Sequence, residues 1–578
     1  MNKTNIWLRM LKYFKPYIGH LLLSVVLVLM VNASELLNPY IIRLAIDGFI
    51  LNPIYDIRML GAIYFASELV GFSASFFQVY LLNSVGQKII HTIRVEVVTR
   101  IQYMPFSYFD KNAAGSILTR ATNDVESLSE LYSGVIVDMF RNALMIIGIV
   151  VVMLSLNVQL ALVSFSIIPI ILVITIWYNK KAKANFRWVR SLIGQINAYF
   201  AENISGMKLV QIFAREKSKF MEFAKLNDEY NEANRFQVFL NAIFRPVNEL
   251  INSLAITLLI WFAARPILEG SLIELGILYA FIDYSRRFFA PINDLADRYV
   301  SILSAHVAAE RIFDLLDNGE GYEEFEDGIE AENLQGKIEF KNVWFAYVDD
   351  EWVLKDVSFT INPGETLAFV GTTGSGKTTI INLISRFYKP QKGEILIDGV
   401  NIQDYSMSSL RRAIGVVMQD VFLFSGDINY NIRLNEESIS LPQVMEASKY
   451  VNAHNFISGL SQGYNHEVKE RGATFSSGER QLLSFARAIA FSPQIIVLDE
   501  ATANIDTQNE LIIQDSLAKI SKHRTTLIIA HRLSTIKNAD GIIVLHNGRI
   551  REKGTHDELL AVDGIYRKLY ELTAPAVK

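Results

Sequence analysis

Apolar positions are spread unevenly along the chain: in long runs before about Ala290, in short ones after it. Residues 16–34 hold no Asp, Glu, Lys or Arg, enough to cross a hydrocarbon core of roughly 30 Å as a helix. Residues 59–87 hold one charge, Glu68. Residues 142–179 hold none and are about twice as long as one span needs, so Asn157 near their middle marks a hairpin of two spans. Residues 238–264 and 271–289 are weaker candidates, and Glu274, Asp283, Arg286 and Arg287 interrupt the second. Ahead of all these, Ile6, Trp7, Met10, Leu11 and Phe14 recur at helical spacing among Arg9 and Lys12. That predicts an amphipathic helix lying on the membrane surface.

The connections 88–138 and 180–249 are too long for plain loops. Apolar residues recur among their charges with few prolines, which predicts helices that continue beyond the bilayer. They can turn back at Met104-Pro105-Phe106 with Gly115, and at Asn203 with Gly206. Basic residues gather on this side. Lys3, Arg9, Lys12 and Lys15 precede the first span, Lys88, Arg94, Arg100, Lys111 and Arg120 follow the second, and Lys180, Lys181, Lys183, Arg187 and Arg190 follow the fourth. Positive charge stays cytoplasmic, so both termini are expected in the cytoplasm of a cell-membrane protein with six spans. An acidic stretch with Gly319, Gly321 and Gly328 then marks a change of composition. The expected organisation is a helical membrane domain over 1–316, a linker over 317–335 and an α/β nucleotide-binding domain over 336–578.

Gly371, Thr372, Thr373, Gly374, Ser375, Gly376, Lys377 and Thr378 fit the phosphate-binding pattern G-x-x-x-x-G-K-[ST]. An apolar strand pattern, 367–370, leads in, and a helical pattern from Thr379 leads out. Glycines let the backbone curl so that successive N–H groups point at one anion, and the helix start adds its positive dipole end. Lys377 is placed to reach the β- and γ-phosphates of ATP, and the Thr378 hydroxyl to bind Mg²⁺. A second motif, 495–500, is four apolar residues ending in Asp499 and Glu500. Asp499 suits the magnesium shell, through water, and Glu500 the general base that orients the attacking water.

Composition narrows the picture further. The chain has 578 residues, too many for one core, and 51% of them are hydrophobic. A net charge of −5 gives no reason to expect nucleic-acid binding. With no cysteine, disulfides, zinc–thiolate sites and thiol catalysis are excluded.

Between the two motifs, Phe475-Ser476-Ser477-Gly478-Glu479-Arg480-Gln481 resembles the signature of ABC ATPases, usually Leu-Ser-Gly-Gly-Gln. By the same resemblance Gln419 is the Q-loop glutamine, a magnesium ligand, and His531 is the switch histidine. Asp506 falls in the D-loop, Tyr347 is the aromatic that stacks on adenine, and residues 466–472 are the X-loop of exporters. Thr379 closes the ATP-binding run. In the membrane half, residues 106–110 with Gly115 and 122–125 resemble the first intracellular loop of ABC exporters, and 204–208 with Phe213 and Glu216 the second. Nearly the whole chain thus resembles an exporter-type half-transporter, which implies a dimer with ATP between one chain's P-loop and the other's signature. A soluble ABC ATPase or a P-loop kinase would not need the 142–179 hairpin or the signature, and importers keep their ATPase on a separate chain.

The signature departs from the pattern at Ser477 and Glu479, while Ser476 and Gly478 are kept. A Cβ at Ser477 crowds a close approach, and a carboxylate at Glu479 repels a polyanion. The expectation is a heterodimer, of the kind found among bacterial multidrug exporters, with one degenerate site and amphipathic or lipophilic small molecules as cargo. A lipid or peptide exporter and a homodimer are the alternatives. Intramembrane charges and aromatics mark a candidate substrate path at Glu35, Glu68, Tyr279, Phe281 and Asp283. Asp138 and Arg141, three apart, are placed to pair on one helix.

Overall fold

The computed structural model describes residues 6–50, 56–268, 275–318, 328–348, 351–499, 507–529 and 536–573. The chain divides into two compact units, Met1–Gln102 with Ala114–Asn318, and Tyr103–Ala113 with Gly319–Lys578.

The first unit is helical. After α1 (Ile6–Lys12), α2 (Ile18–Ile50) and α3 (Ile57–Gln102) run antiparallel, as their short connection requires. The short α4 (Phe106–Lys111) belongs to the second unit. Next, α5 (Ala114–Thr119), α6 (Val125–Glu130) and α7 (Ile136–Leu156) are joined end to end by π-helical turns at Arg120–Asp124 and Leu131–Val135. Asn157 is the hairpin: it adopts an extended conformation and its Oδ1 accepts from Leu160 N at 3.0 Å, capping α8 (Val158–Phe165). Pro169, in the first turn of α9 (Ile168–Ser205), interrupts the backbone ladder there. Gly206 ends α9, α10 (Met207–Ile212) is a single short piece, and α11 (Glu216–Leu268) returns. The unit ends with α12 (Leu275–Asp317).

Five of these helical runs are long and apolar enough to span a membrane: Lys15–Gly48, Ile57–Gln102, Ala114–Leu156, Val158–Ser205 and Glu216–Ala264. The sixth expected span falls partly outside the described residues and continues as α12, where Asp283 pairs with Arg287 at 2.9 Å. A core of Ile149, Met153, Ala161, Leu259, Phe281 and Tyr284 joins α7, α8, α11 and α12.

One local expectation needs correction. Asp138 and Arg141 do not pair; Asp138 meets Arg298 at 2.9 Å and Arg141 meets Glu35 at 2.6 Å, because both side chains point across helix boundaries. Helix α1 packs against α12. Arg9 pairs with Asp317 at 2.5 Å and sits 4.3 Å over the Phe313 ring, and Trp7 stacks on His306 at 5.4 Å. Met10 is buried, leaving Leu8 and Leu11 exposed.

The second unit is α/β. In chain order its strands are β1 (Ile338–Ala346), β2 (Trp352–Ile361), β3 (Thr366–Val370), β4 (Lys392–Ile397), β5 (Val400–Asn401), β6 (Ile414–Val417), β7 (Gly426–Asp427), β8 (Glu467–Val468), β9 (Ile495–Asp499), β10 (Thr525–Ile529), β11 (Gly541–His546) and β12 (Arg549–Gly554). An antiparallel sheet has the order β2-β1-β4-β5, and a mostly parallel sheet the order β12-β11-β3-β10-β9-β6. Side chains alternate faces along a strand, and here both faces are buried. Ala368, Val370, Ile496, Leu498, Ile528, Ile542 and Val544 enter one core. Leu367, Phe369, Ile495, Val497, Leu527, Ile529, Ile543 and Leu545 enter the other. That explains the unbroken apolar runs, which are typical of parallel strands.

Residues 328–335, within the stretch read as a linker, are packed on the second unit. Ile329 bridges Tyr405, and Ala331 N donates to Ser409 Oγ at 3.0 Å. Asp398, in the turn after β4, then fixes the entry to β1: its carboxylate accepts from the N–H groups of Gln335 (2.7 Å), Gly336 (3.2 Å) and Lys337 (2.8 Å). Asp398→Ala strands those three donors and should destabilise the unit by about 2 kcal/mol, with Asp398→Asn intermediate. Urea unfolding of the full chain in detergent checks this; an unchanged midpoint for Asp398→Ala would remove the clasp role.

Candidate functional site

The glycine-rich turn leaves β3 at Gly371 and becomes helix α13 (Lys377–Ile384) after Gly376, which has φ +105°. That left-handed conformation suits glycine, and the space demands it too: a Cβ on Gly376 would lie 2.6 Å from Leu354 Cδ2, and one on Gly371 would lie 2.2 Å from the Leu545 carbonyl oxygen. The turn is therefore pressed closely against β2 and β11.

Lys377 is buried, and its ammonium donates to the carbonyls of Gly371 (2.7 Å) and Thr372 (3.1 Å). Burial pushes its pKa below the usual lysine value, and the negative charge of Asp499 partly opposes this. Ser375, 2% exposed, has a buried hydroxyl without a hydrogen-bond partner. An orphaned donor beside a buried ammonium at a helix start is what a phosphate oxygen would satisfy, so the residues present fit ATP. Gly374, Thr372, Thr373 and Thr378 are exposed around this cradle.

Tyr347 follows β1 and is tied to the same helix. Its hydroxyl donates to Thr379 Oγ1 at 3.2 Å and accepts from Asn382 Nδ2 at 3.0 Å. Phe345 and Tyr388 pack at right angles to its ring, at 4.8 and 5.1 Å. The ring itself stays 41% exposed, so a flat ligand can reach it. Asp499 ends β9, and Val417 at the end of β6 pairs with Leu498, so exposed Gln419, two residues further on, projects from the same sheet edge. Tyr347, the 371–379 run, Asp499 and Gln419 are thus brought to one end of the strands. Thr378, Gln419 and Asp499 are oxygen donors of the kind magnesium takes. Glu500, Asp506 and His531 lie outside the described residues; β9 ends one residue before Glu500, and β10 two before His531.

The signature stands apart. Ser476 caps the helix Ser477–Ala490, whose Leu482, Leu483 and Phe485 belong to the core on the sheet face opposite α13. Ser476 Oγ accepts from Glu479 N at 3.2 Å, and Glu479 Oε2 accepts from Ser476 N at 2.7 Å. The spacing S-x-x-E that departs from the usual signature is that of a capping box. Gly478 is buried beneath it and Ser477 half-buried.

The segment 106–110, expected to be the first intracellular loop, forms α4. In α4, Tyr108 is buried and Phe106 stacks on Phe387 at 5.0 Å and meets Tyr388 edge-on at 6.3 Å. Tyr388 also donates its hydroxyl to the Asp110 carboxylate, and burial together with that bond raises its pKa, keeping it protonated. No local pattern links Asp110 to Tyr388, which are far apart in sequence.

The candidate substrate-path residues divide. Phe281 is fully buried, Tyr279 is 39% exposed, Glu35 holds Arg141 and Asp283 holds Arg287. Glu68 is exposed and accepts from Asn38 Nδ2 at 2.6 Å.

A phosphate cradle on a mostly parallel sheet, carried by a chain with helices long and apolar enough to span a membrane, defines a membrane P-loop NTPase. Comparison with known proteins makes this specific. Residues 21–292 match the ABC transporter transmembrane region, and residues 354–503 match the ABC transporter family. The probable multidrug resistance ABC transporter ATP-binding/permease protein YheH of Bacillus subtilis is 42% identical over 86% of this chain and 74% of its own length. The fatty acid ABC transporter ATP-binding/permease protein of Mycobacterium bovis is 37% identical over 89% and 80%. The solved structure of a bacterial Atm1-family ABC exporter with ATP bound superposes with a TM-score of 0.78 at 26% identity, over 97% of this chain and 99% of that one. The chain belongs to the ABC transporter family, as an exporter-type half-transporter that couples ATP hydrolysis to transport.

Substitution at the cradle should be felt in nucleotide affinity. Gly376→Ala adds backbone strain and a 2.6 Å contact, and strain of about 1–3 kcal/mol corresponds to roughly tenfold or more in Kd. Lys377→Ala should weaken binding as well. Titration with a fluorescent ATP analogue reads both, and unchanged affinity in either would count against the cradle.

Proposed function

We propose that this chain is one half of a heterodimeric exporter of amphipathic or lipophilic small molecules, with its ATPase part and both termini in the cytoplasm. The observation that carries the dimeric mechanism is the placement of the phosphate cradle and the signature against opposite faces of one sheet. A rigid two-faced core keeps them apart within one chain, so a second ATPase must bring its own signature to the cradle. Hydrolysis then depends on the two halves closing, and nucleotide shifts the membrane helices only as far as it binds the two states differently.

In this reading Lys377, Ser375 and the N–H groups of 371–378 hold the phosphates, and Tyr347 stacks on adenine. Thr378, Gln419 and Asp499, the last through water, would hold Mg²⁺, whose charge offsets that of the transferred phosphate. Glu500 orients the attacking water and takes its proton, His531 contacts the γ-phosphate as the switch, and Asp506 lies between the halves. Segment α4 transmits the change: it is bound to Phe387 and Tyr388 and is covalently continuous with α3 and α5.

The asymmetric partner is supported by the capping box. Glu479 already places a carboxylate on the donor at Ser476, where the partner's γ-phosphate would need one. A partner whose signature keeps both glycines would complete the site built on this chain's P-loop and Glu500. The cargo class is supported by the relatives named for multidrug resistance and for fatty acid, both amphipathic loads. The excess of Lys and Arg flanking the spans supports the orientation.

Three outcomes are expected. Glu500→Gln should keep ATP binding and slow hydrolysis by at least ~100-fold in the working complex; near-normal turnover would sink the general-base role. Replacing Phe106 and Tyr108 by alanine should abolish vesicle transport while leaving nucleotide binding, and full-rate transport would remove α4 from coupling. Purified alone, the chain should show little transport-coupled hydrolysis until a related half with an intact signature is added. A fully active homodimer by mass measurement and ATPase assay would refute the heterodimer.

A further inference from the structure

We infer that Glu68 selects lipophilic cations as cargo, an assignment that rests on the export of amphipathic molecules proposed above. Four acidic side chains of the membrane unit are matched to arginines: Glu35 to Arg141 at 2.6 Å, Asp138 to Arg298 at 2.9 Å, Asp283 to Arg287 at 2.9 Å and Asp47 to Arg43 at 3.5 Å. Among the described residues no cation lies within ion-pair distance of Glu68. Its polar contact is Asn38, whose Nδ2 donates to Oε1 at 2.6 Å. Asn38 is 2% exposed and its Oδ1 has no partner. The amide cannot be reversed, because two oxygens would then face each other. The pair therefore presents carboxyl and amide oxygens as acceptors.

The location makes this charge consequential. Glu68 lies eleven residues into α3 from Ile57, about 16 Å along the axis. Asp56 and Arg58 mark the polar end of that helix, which puts Glu68 near the middle of a roughly 30 Å hydrocarbon core. A carboxylate without a cation at that depth is costly to keep. Beside it on α3, Phe65, Leu69, Phe72 and Phe76 fall on one helical face and are 70%, 56%, 72% and 60% exposed. Aromatic faces attract cations through their quadrupole. A carboxylate bordering an aromatic stripe suits a hydrophobic body with a spread positive charge and rejects an anion of the same shape. The competing occupant is an arginine of the partner half; Arg286 on α12 is an exposed intramembrane cation with no ion pair among the described residues.

The test uses the full chain, with its partner half, in nanodiscs, and reads ATPase response against concentration for three probes of similar shape: tetraphenylphosphonium, tetraphenylborate and neutral triphenylphosphine oxide. The cation should act at the lowest concentration. Glu68→Gln should raise its half-maximal concentration about tenfold relative to the neutral probe, and Glu68→Asp should keep most of the preference. Phe72→Ala should weaken the cation more than the neutral probe, a second reading that stands if Glu68→Gln misfolds. An equal shift for cation and neutral probe, or no shift, overturns the assignment. So does loss of assembly of the two halves in Glu68→Gln, which would place a partner arginine on Glu68. If the neutral probe is exported but the cation preference is absent, only this inference fails; if no probe alters turnover or is exported, the cargo reading above fails with it.

Discussion

Burial of the parallel sheet on both faces is the constraint on which the rest of the ATPase part depends. With Leu367 and Phe369 turned to one core and Ala368 and Val370 to the other, β3 cannot move without disturbing both. That rigidity holds the glycine-rich turn in a conformation with Gly371 against the Leu545 carbonyl and Gly376 against Leu354. It also lets a buried ammonium and an unpartnered hydroxyl persist at the start of α13. Polar groups left so exposed to unfavourable burial are tolerable where a ligand completes them.

The same sheet separates what it organises. One face carries α13 and the nucleotide cradle, and the other carries the signature helix. A catalytic site divided in this way makes hydrolysis a report on the approach of two subunits. The capping box at Ser476 and Glu479 gives that approach a local electrostatic character, since a helix start that would favour an anion already has a carboxylate of its own.

In the membrane unit the governing cost is that of charge in hydrocarbon. Several acids there are answered by arginines, and Glu35–Arg141 and Asp138–Arg298 tie α2 to α7 and α7 to α12. Arg287 also donates to the Glu35 carbonyl at 3.3 Å, and Tyr284 to that of Leu36 at 2.6 Å, so the seam is tied by backbone as well as by charge. Glu68 meets the neutral amide of Asn38.

Much of this was readable from local chemistry. Long apolar runs need lipid or a core around them, so the spans and the hairpin at Asn157 follow from hydropathy. The phosphate cradle follows from a spacing of glycines and lysine that few other backbones need. Strand, turn and helix are neighbours in sequence, so a linear pattern contains the whole arrangement of 371–379. By contrast, partners distant in sequence have no local signature. Asp138 could as well have met Arg141 as Arg298; the choice depends on which helix faces which. Likewise Asp110 and Tyr388, Glu68 and Asn38, and the opposite faces taken by α13 and the signature helix are set by the packing of elements. Sequence periodicity says which residues share a face; only tertiary packing decides what that face meets, because burial is favourable against many surfaces and the paired charges exclude all but one.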